Sequence, residues 1–289
     1  MDNTGITLYA FLDIRLPFTA WEVAIGRVQS PCEIEPFEFG VSLFYYKRIK
    51  AFAQNRSILF SQEFRMEKLR RHSFPSKVSR LRGLYFFETE DDARVAMNHW
   101  GWAELEPYLS KVTFFPTALS RHDSEWISNN FMSNPDEEWM RQYWTGATEG
   151  VRPIKEVLAL GTGIVENKDL RIQAYKRVLE VWPTSTPLLA AACCAFAAGF
   201  RDVATSKPAL TTKQGKIIGS FYIDMRQFDS NQAAIISAVK DCQERGEFPP
   251  IQLPADQTKF CTLPDMRSQR FELESAELAK ELSKLINAT

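Results

Sequence analysis

Residues 64–93 read FRMEKLRRHSFPSKVSRLRGLYFFETEDDA, and this stretch decides the fold prediction. Its apolar run GLYFF, residues 83–87, is typical of a short strand. The acidic residues that follow favour a helix start at Glu90, because the positive end of the helix dipole stabilises carboxylates. The spacing of Phe64 and Leu69 predicts a helix before the strand. The chain therefore passes from helix to strand to helix within this one stretch.

The same stretch concentrates positive charge. Seven basic residues lie between positions 65 and 82, namely Arg65, Lys68, Arg70, Arg71, Lys77, Arg80 and Arg82. Guanidinium groups bind phosphate oxygens in pairs, so such a cluster suits a pyrophosphate or a nucleic-acid backbone. A solvated helix face is the simpler interpretation of the charge alone.

Outside this stretch the sequence mixes strand and helix patterns without regular alternation. Strands are predicted at residues 6–15, 112–119, 155–165 and 217–225, and helices at residues 19–25, 41–54, 57–71, 90–100, 123–130, 135–143, 170–182, 187–202, 230–245 and 275–286. The mixture predicts an α+β fold. Prolines and threonines between positions 182 and 187 predict a boundary between a domain at 1–182 and a mostly helical extension at 187–289.

The composition is that of an ordinary globular protein. Hydrophobic residues make up 45% of the chain, and the net charge of −1 gives no global attraction to nucleic acid or membrane. Five scattered cysteines without a Cys-x-x-Cys pair argue against a disulfide framework or a zinc site. The polar start has no signal-peptide pattern, and the longest apolar run, residues 187–200, is too short to span a bilayer. We therefore expect a cytoplasmic protein without a membrane partner.

Common catalytic motifs are missing from the sequence. It has no Gly-x-x-x-x-Gly-Lys phosphate loop, no Gly-x-Gly-x-x-Gly and no Gly-x-Ser-x-Gly. Its three histidines form no His-x-x-x-His pair, so no metal is expected. Asp91, Asp92 and Asp123 are the carboxylates from which a metal-dependent nuclease could be built, but they form no compact group in the sequence.

Several short pieces occur in an order that resembles the ADP-ribosyltransferase superfamily. They are Leu8-Tyr9, Ser79-Arg80-Leu81 with Gly83-Leu84-Tyr85-Phe86, Tyr143-Trp144-Thr145-Gly146, and Glu156-Val157-Leu158. An uncharacterised bacterial family with the same proposed fold carries similar pieces. The resemblance covers residues 7–165, and residues 187–289 contribute nothing to it. It implies a core of two small packed sheets surrounded by helices, with NAD as the substrate.

The resemblance also implies roles for particular residues. Transfer of ADP-ribose passes through an oxocarbenium-like state, which a carboxylate stabilises through the ribose hydroxyl. Glu156 is the candidate catalytic carboxylate, and Glu149 in the preceding loop is its rival. Arg65 would meet a phosphate, and an aromatic ring would stack on nicotinamide. The candidate NAD-binding residues are Tyr9, Arg15, Arg65, Ser79, Arg80, Tyr85, Phe86, Tyr143 and Trp144.

Two positions depart from the better-known members of this superfamily. The first strand has no histidine, and Ile154 stands two residues before Glu156, where arginine-modifying members have a glutamate or glutamine. Protein arginine is therefore disfavoured as the acceptor. We expect a toxin or anti-phage defence effector that modifies a macromolecule. The basic stretch and the aromatic content of 12% favour single-stranded RNA or DNA. An antitoxin or regulatory protein would be a further partner.

Two other functions stay open on the sequence alone. In a non-catalytic binding or immunity module of the same fold, Glu156 would be structural, and Tyr85 and Phe86 would simply pack in the core. In a metal-dependent nuclease, the scattered aspartates would hold the metal.

Overall fold

The computed structural model describes residues 4–31, 35–55, 57–134, 136–256 and 258–287, and its fold is α+β. The helices are α1 (Pro17–Ile25), α2 (Leu43–Asn55), α3 (Ser57–Ser73), α4 (Glu90–Trp100), α5 (Glu125–Asn130), α6 (Glu138–Thr145), α7 (Lys168–Val181), α8 (Thr186–Ala197), α9 (Arg226–Ser230), α10 (Gln232–Glu244) and α11 (Ala276–Asn287). The strands are β1 (Ile6–Phe11), β2 (Arg27–Gln29), β3 (Phe39–Gly40), β4 (Leu84–Phe86), β5 (Leu109–Asp123), β6 (Lys155–Val165), β7 (Thr205–Lys213), β8 (Lys216–Asp224) and β9 (Phe271–Glu274).

The first sheet is built around the long antiparallel pair of β5 and β6. β1 pairs with β5 on the side opposite β6. β4 and β2 both pair with β6 on the side opposite β5, with β4 along its first part and β2 along its last part. A bridge between Tyr9 and Phe87 connects the residue after β4 back to β1, so the sheet curls on itself. The strand predicted at 112–119 is longer than expected and irregular at its proline, since the register shifts between Pro116 and Ala118.

The second sheet is antiparallel in the order β3-β7-β8-β9. Its first strand comes from early in the chain, and the other three follow residue 204. The prediction of a mostly helical extension at 187–289 therefore omitted β7 and β9. β7 was not predicted because Pro208 and the lysines and threonines of this strand break the alternation that indicates a half-buried strand.

Contacts between the two halves of the chain are extensive. Trp21 of α1 is fully buried, and its indole N–H donates to the carbonyl oxygen of Ala204 at 2.9 Å. Arg27 and Glu22 form a buried ion pair at 2.6 Å, and the same carboxylate accepts the backbone N–H of Ser206. The two largest hydrophobic cores combine residues from before position 182 and after position 187. In the described residues, no break in the packing marks the predicted boundary.

Local signals fix α4 at the bounds that the sequence predicts. The Thr89 hydroxyl accepts the backbone N–H of Asp92 at 3.0 Å, which caps the first turn. Gly101 ends the helix in the left-handed region at φ 68°. This helix leads the chain from β4 to the short 3-10 helix Ala103–Tyr108, and both elements border the cleft described below.

The length and apolar content of the helices bear on membrane crossing. Among the described residues, no single helix is both long and apolar enough to cross a bilayer. Only the pair Lys168–Val181 and Pro183–Ala197, which is bent by 119°, reaches that length and composition together.

Gly161 of β6 provides a test of the central strand pair. It has φ 138°, and a Cβ atom there would lie 2.1 Å from the carbonyl oxygen of Phe115. We expect Gly161→Ala to lower the free energy of unfolding by about 3 kcal/mol, because the strand must move or break its pairing. Denaturant titration measures this change.

The matched control is Gly150→Ala, in a loop at φ 74° with open space around the position. This variant carries only the left-handed strain and should lose about 1 kcal/mol. Equal losses in the two variants would contradict the close strand approach at Gly161.

Candidate functional site

A cleft of about 730 Å³ opens beside the curled first sheet. This volume lies in the range of small-molecule sites, which are mainly apolar with a few convergent polar groups. Phe11, Phe87, Trp100 and Trp102 line one part of the cleft, while α2 and Phe131 line another. Arg80 and Glu156 supply polar groups between the apolar walls. A second cavity, beside Glu22 and Tyr222, encloses about 20 Å³, which is room for about one water molecule.

The buried guanidinium of Arg80 is the centre of the polar network in this cleft. Its side chain is 4% exposed and lies between two carboxylates, with Glu63 at 3.4 Å and Glu156 at 3.3 Å. Three tyrosine rings surround it, since its central carbon lies 5.3–5.7 Å from the ring centres of Tyr45, Tyr85 and Tyr143. Charge pairs and cation–π contacts therefore replace the water that a buried cation loses.

Tyrosine hydroxyls complete the hydrogen bonds of the two carboxylates. Tyr143 donates to Oε1 of Glu156 at 2.7 Å, and Tyr45 donates to Oε1 of Glu63. Burial raises the pKa of Tyr143 well above its usual value, so this hydroxyl stays protonated and remains a donor. The ring of Tyr45 stacks on that of Tyr85, with 5.5 Å between their centres. The network thus fixes both acids and all three rings around one cation.

Glu156 presents one free oxygen to the cleft. Its Oε1 accepts the bonds from Tyr143 and from Arg80, whereas Oε2 accepts no hydrogen bond from any described residue, and the side chain as a whole is 7% exposed. Burial raises the pKa of Glu156 above its usual value, and the charge of Arg80 is the largest effect opposing that rise. Oε2 is therefore the carboxylate atom that a ligand in the cleft can reach.

A tight turn before β4 aims Arg80 inward. The N–H of Gly83 donates to the carbonyl oxygen of Ser79 at 2.7 Å, and the hydroxyl of Tyr85 donates to the carbonyl oxygen of Arg80. A Cβ atom on Gly83 would lie 2.8 Å from a methyl carbon of Val78 and 2.9 Å from the Ser79 carbonyl oxygen. The glycine is required because the turn is too tight for a side chain.

The structure brings five of the predicted site residues together. Arg15, Arg80, Tyr85, Phe86 and Glu156 all line the cleft. Of these, Arg15 lies at the open side, paired with Asp13 at 2.7 Å and placed over the ring of Tyr108.

Two more predicted residues lie behind the cleft wall. Tyr143 supports Glu156 through its hydroxyl. Trp144 is fully buried, and its indole N–H donates to the carbonyl oxygen of Met66 at 3.2 Å. Trp144 therefore serves the core beneath the site rather than its surface.

The remaining predicted NAD-binding residues lie off the cleft lining. Tyr9 packs in the small core that contains Phe87, and Ser79 is buried with its hydroxyl unbonded among the described residues. Arg65 is half-buried on α3, where it bonds Gln62 at 3.0 Å and lies 3.8 Å from Glu137. Arg65 is not among the residues that line the cleft, so the phosphate contact predicted for it stays a prediction.

The rival carboxylates have structural partners of their own. Glu149 accepts hydrogen bonds from the side-chain amides of Asn129 and Asn130, and it does not line the cleft. Asp123 is buried and accepts three backbone N–H groups, which hold the loop before β6 in place. Asp92 belongs to the cap of α4. No group of three or more potential metal ligands lies among the described residues.

The sequence analysis missed Tyr45, Arg48 and Glu63, which shape the site. A signal for Glu63 was present in the helical pattern. It lies three positions from both Phe60 and Met66, so a carboxylate occupies the apolar face of α3. Such a buried acid requires a cation, but the pattern does not say which of the many basic residues provides it.

The region that contains the site matches a known but functionally uncharacterised family. The model of a family described as a protein of unknown function, DUF2441, matches residues 44–168, less than half of the chain. The match includes Arg80, Tyr143 and Glu156 and ends shortly after β6. A search of curated proteins finds no match.

His122 packs against the Arg80 network, and its titration provides a test of how deeply this part of the core is buried. It pairs with Glu156 across β5 and β6, and its ring stacks on Tyr143 with 4.5 Å between the centres. Its nitrogens lie 2.9 Å from the Tyr143 carbonyl oxygen and 2.8 Å from the Ser120 hydroxyl. Burial lowers the pKa of His122 from 6.5 to about 4.

This shift predicts acid destabilisation. The unfolded chain takes up a proton below about pH 6.5, whereas the folded chain resists it until about pH 4, so stability is lost as pH falls through this window. The resulting loss in the free energy of unfolding between pH 7 and pH 5 is about 2 kcal/mol.

Denaturant unfolding at pH 7 and at pH 5 measures this loss, and we expect it to be absent in His122→Gln. The control His72→Gln, at an exposed position, should keep it. An unchanged pH dependence in His122→Gln would contradict the assignment.

Proposed function

We propose that this chain is an NAD-dependent ADP-ribosyltransferase whose reaction takes place in the cleft beside Glu156. One observation carries the proposal. The candidate catalytic carboxylate lies in a cavity of about 730 Å³, held by Arg80 and Tyr143, with Oε2 directed to no protein partner among the described residues. Three distant stretches of sequence, around residues 45, 80 and 156, meet there.

The proposed chemistry uses the free oxygen of Glu156. As the bond between nicotinamide and ribose breaks, positive charge develops on the sugar, and an ionised carboxylate that binds the ribose hydroxyl stabilises it. Arg80 opposes the rise in the pKa of Glu156 that burial causes, and so favours the ionised form. A preorganised acid needs little rearrangement during the reaction, and this increases its effect on the rate.

Aromatic side chains in the cleft would receive the planar parts of NAD. Trp100 and Trp102 lie at the more open part of the cleft. Phe86 is fully buried against Phe114, and Tyr85 is stacked on Tyr45, so these two rings of β4 support the wall beside Glu156 from within the core. Trp102 is 37% exposed and lies 4.6 Å from Trp100 between ring centres. Flat rings stack on such surfaces. The exposed tryptophan supports a macromolecular acceptor that reaches the cleft from outside, and single-stranded RNA or DNA would stack there.

A toxin or anti-phage defence effector is the biological role we propose for this activity. Such an effector would act in the cytoplasm and would need an antitoxin or regulatory protein as its partner.

A second candidate function is a non-catalytic binding or immunity module. The observation in its favour is that Glu156 is 7% exposed and already neutralises Arg80. Buried ion pairs of this kind occur for structural reasons alone. In that case the cleft would bind a nucleotide, or a partner, without chemistry. A metal-dependent nuclease is disfavoured, because three backbone N–H groups already donate to the carboxylate of Asp123.

The decisive comparison is Glu156→Gln against Glu149→Gln. We expect Glu156→Gln to lower the rate of NAD consumption at least about 100-fold, since the amide cannot stabilise the sugar cation by charge. Glu149→Gln changes the rival carboxylate, which lies off the cleft, and should leave the rate within about twofold. Release of nicotinamide from NAD, with and without cell extract, measures both rates.

Several outcomes would overturn the proposal. Loss of activity in Glu149→Gln but not in Glu156→Gln would move the chemistry to the other acid. Absence of NAD consumption by the wild type with every extract, together with an NAD-dependent rise in melting temperature, would favour the binding module. Thermal unfolding of both variants checks that they fold.

The acceptor can be identified by labelling an extract with biotin-NAD. Because the exposed Trp102 and the sequence departure at Ile154 favour nucleic acid over protein arginine, we expect the label to survive protease and to be lost on nuclease treatment. RNase and DNase used separately distinguish the two acceptors. Label that survives both nucleases and is removed by protease would contradict this expectation.

A further inference from the structure

The cations that line the cleft differ in how well their charge is compensated. Arg80 lies between Glu63 and Glu156, so its charge is balanced by two carboxylates. Arg15 is paired with Asp13. Lys47 and Arg48, both on α2, are cleft-lining cations for which no ion pair is found among the described residues. The α2 side of the cleft therefore carries uncompensated positive charge.

Aromatic contacts hold Arg48 in a defined position. Its central carbon lies 5.7 Å from the ring centre of Tyr45, 5.3 Å from that of Phe52 and 5.6 Å from that of Phe131. Cation–π contacts of this kind orient a guanidinium without using up its hydrogen-bond donors. Arg48 is also close enough to Glu156 to lower the pKa of that acid. The positive charge of Arg48 therefore acts on the carboxylate of Glu156 in the cleft.

The geometry points to Lys47 and Arg48 as the subsite for the diphosphate of a nucleotide in this cleft. This inference rests on the proposed function and deepens it. A guanidinium binds phosphate oxygens in pairs through parallel N–H groups, and a neighbouring ammonium adds a second positive charge. A diphosphate carries two or more negative charges and therefore matches two adjacent, uncompensated cations.

The charge distribution also orients the ligand. Around Arg80, two carboxylates meet one guanidinium, so this part of the cleft suits the cationic nicotinamide ribose. The α2 side suits the anionic diphosphate. This assignment places the phosphate contact on α2 instead of Arg65, which does not line the cleft. It also leaves Arg80 to position Glu156 instead of binding phosphate.

Binding of ADP-ribose and of adenosine, measured by calorimetry, tests the subsite. We expect Arg48→Gln to weaken the affinity for ADP-ribose by about tenfold or more, because a charge-assisted hydrogen bond is lost. The affinity for adenosine, which has no phosphate, should be unchanged. Arg48→Lys should recover part of the loss, since it restores the charge but not the paired donors.

The matched control is Arg245→Gln, which removes one positive charge from an exposed arginine outside the cleft. It should bind ADP-ribose like the wild type. Wild-type affinity for ADP-ribose in Arg48→Gln would overturn the inference, and so would a wild type that binds no ADP-ribose. Unfolding midpoints show whether the variants fold.

The failure of this inference can be told apart from the failure of the proposed function. NAD consumption with an unchanged KM in Arg48→Gln would remove the subsite and keep the enzyme. Binding of ADP-ribose that depends on Arg48, in a protein that never consumes NAD, would keep the subsite and remove the enzyme.

Discussion

The structure around the cleft depends on the need to neutralise one buried cation. Arg80 is almost completely enclosed, and removing it would leave two carboxylates, Glu63 and Glu156, without a cation in an apolar environment. To satisfy it, α2 contributes Tyr45, α3 contributes Glu63 and β6 contributes Glu156. These elements are distant in sequence, so the same interaction that closes the core also assembles the candidate site.

The two oxygens of the Glu156 carboxylate have different roles. One oxygen of Glu156 is committed to Arg80 and Tyr143, which fix the side chain, and the other is left for a ligand. Tyr143 is in turn held by His122, whose neutral ring stacks on it. A catalytic acid requires this combination of rigidity and access. In the alternative of a purely structural ion pair, the cleft would bind a nucleotide or a partner without chemistry.

Local patterns allowed much of the fold to be predicted, because they arise from interactions between neighbouring residues. Thr89 and Gly101 define α4, and the apolar stretch at residues 155–165 was predicted as the strand that forms β6. The site was predicted only in part. Glu156, Arg80 and Tyr85 were brought together as expected, but Glu63, Tyr45 and Arg48 depend on how α2 and α3 pack, which no periodicity reveals. β7 was missed because Pro208 and the lysines and threonines around it break the alternation, although pairing with β3 and β8 makes this segment a strand.

A crystal structure of the Glu156→Gln variant with NAD would test the central claim most directly, because the variant should bind the dinucleotide without consuming it. We expect NAD in the cleft, with a hydroxyl of the nicotinamide ribose within about 3 Å of the side chain at position 156. NAD bound elsewhere on the surface, or a ribose facing away from position 156, would contradict the account.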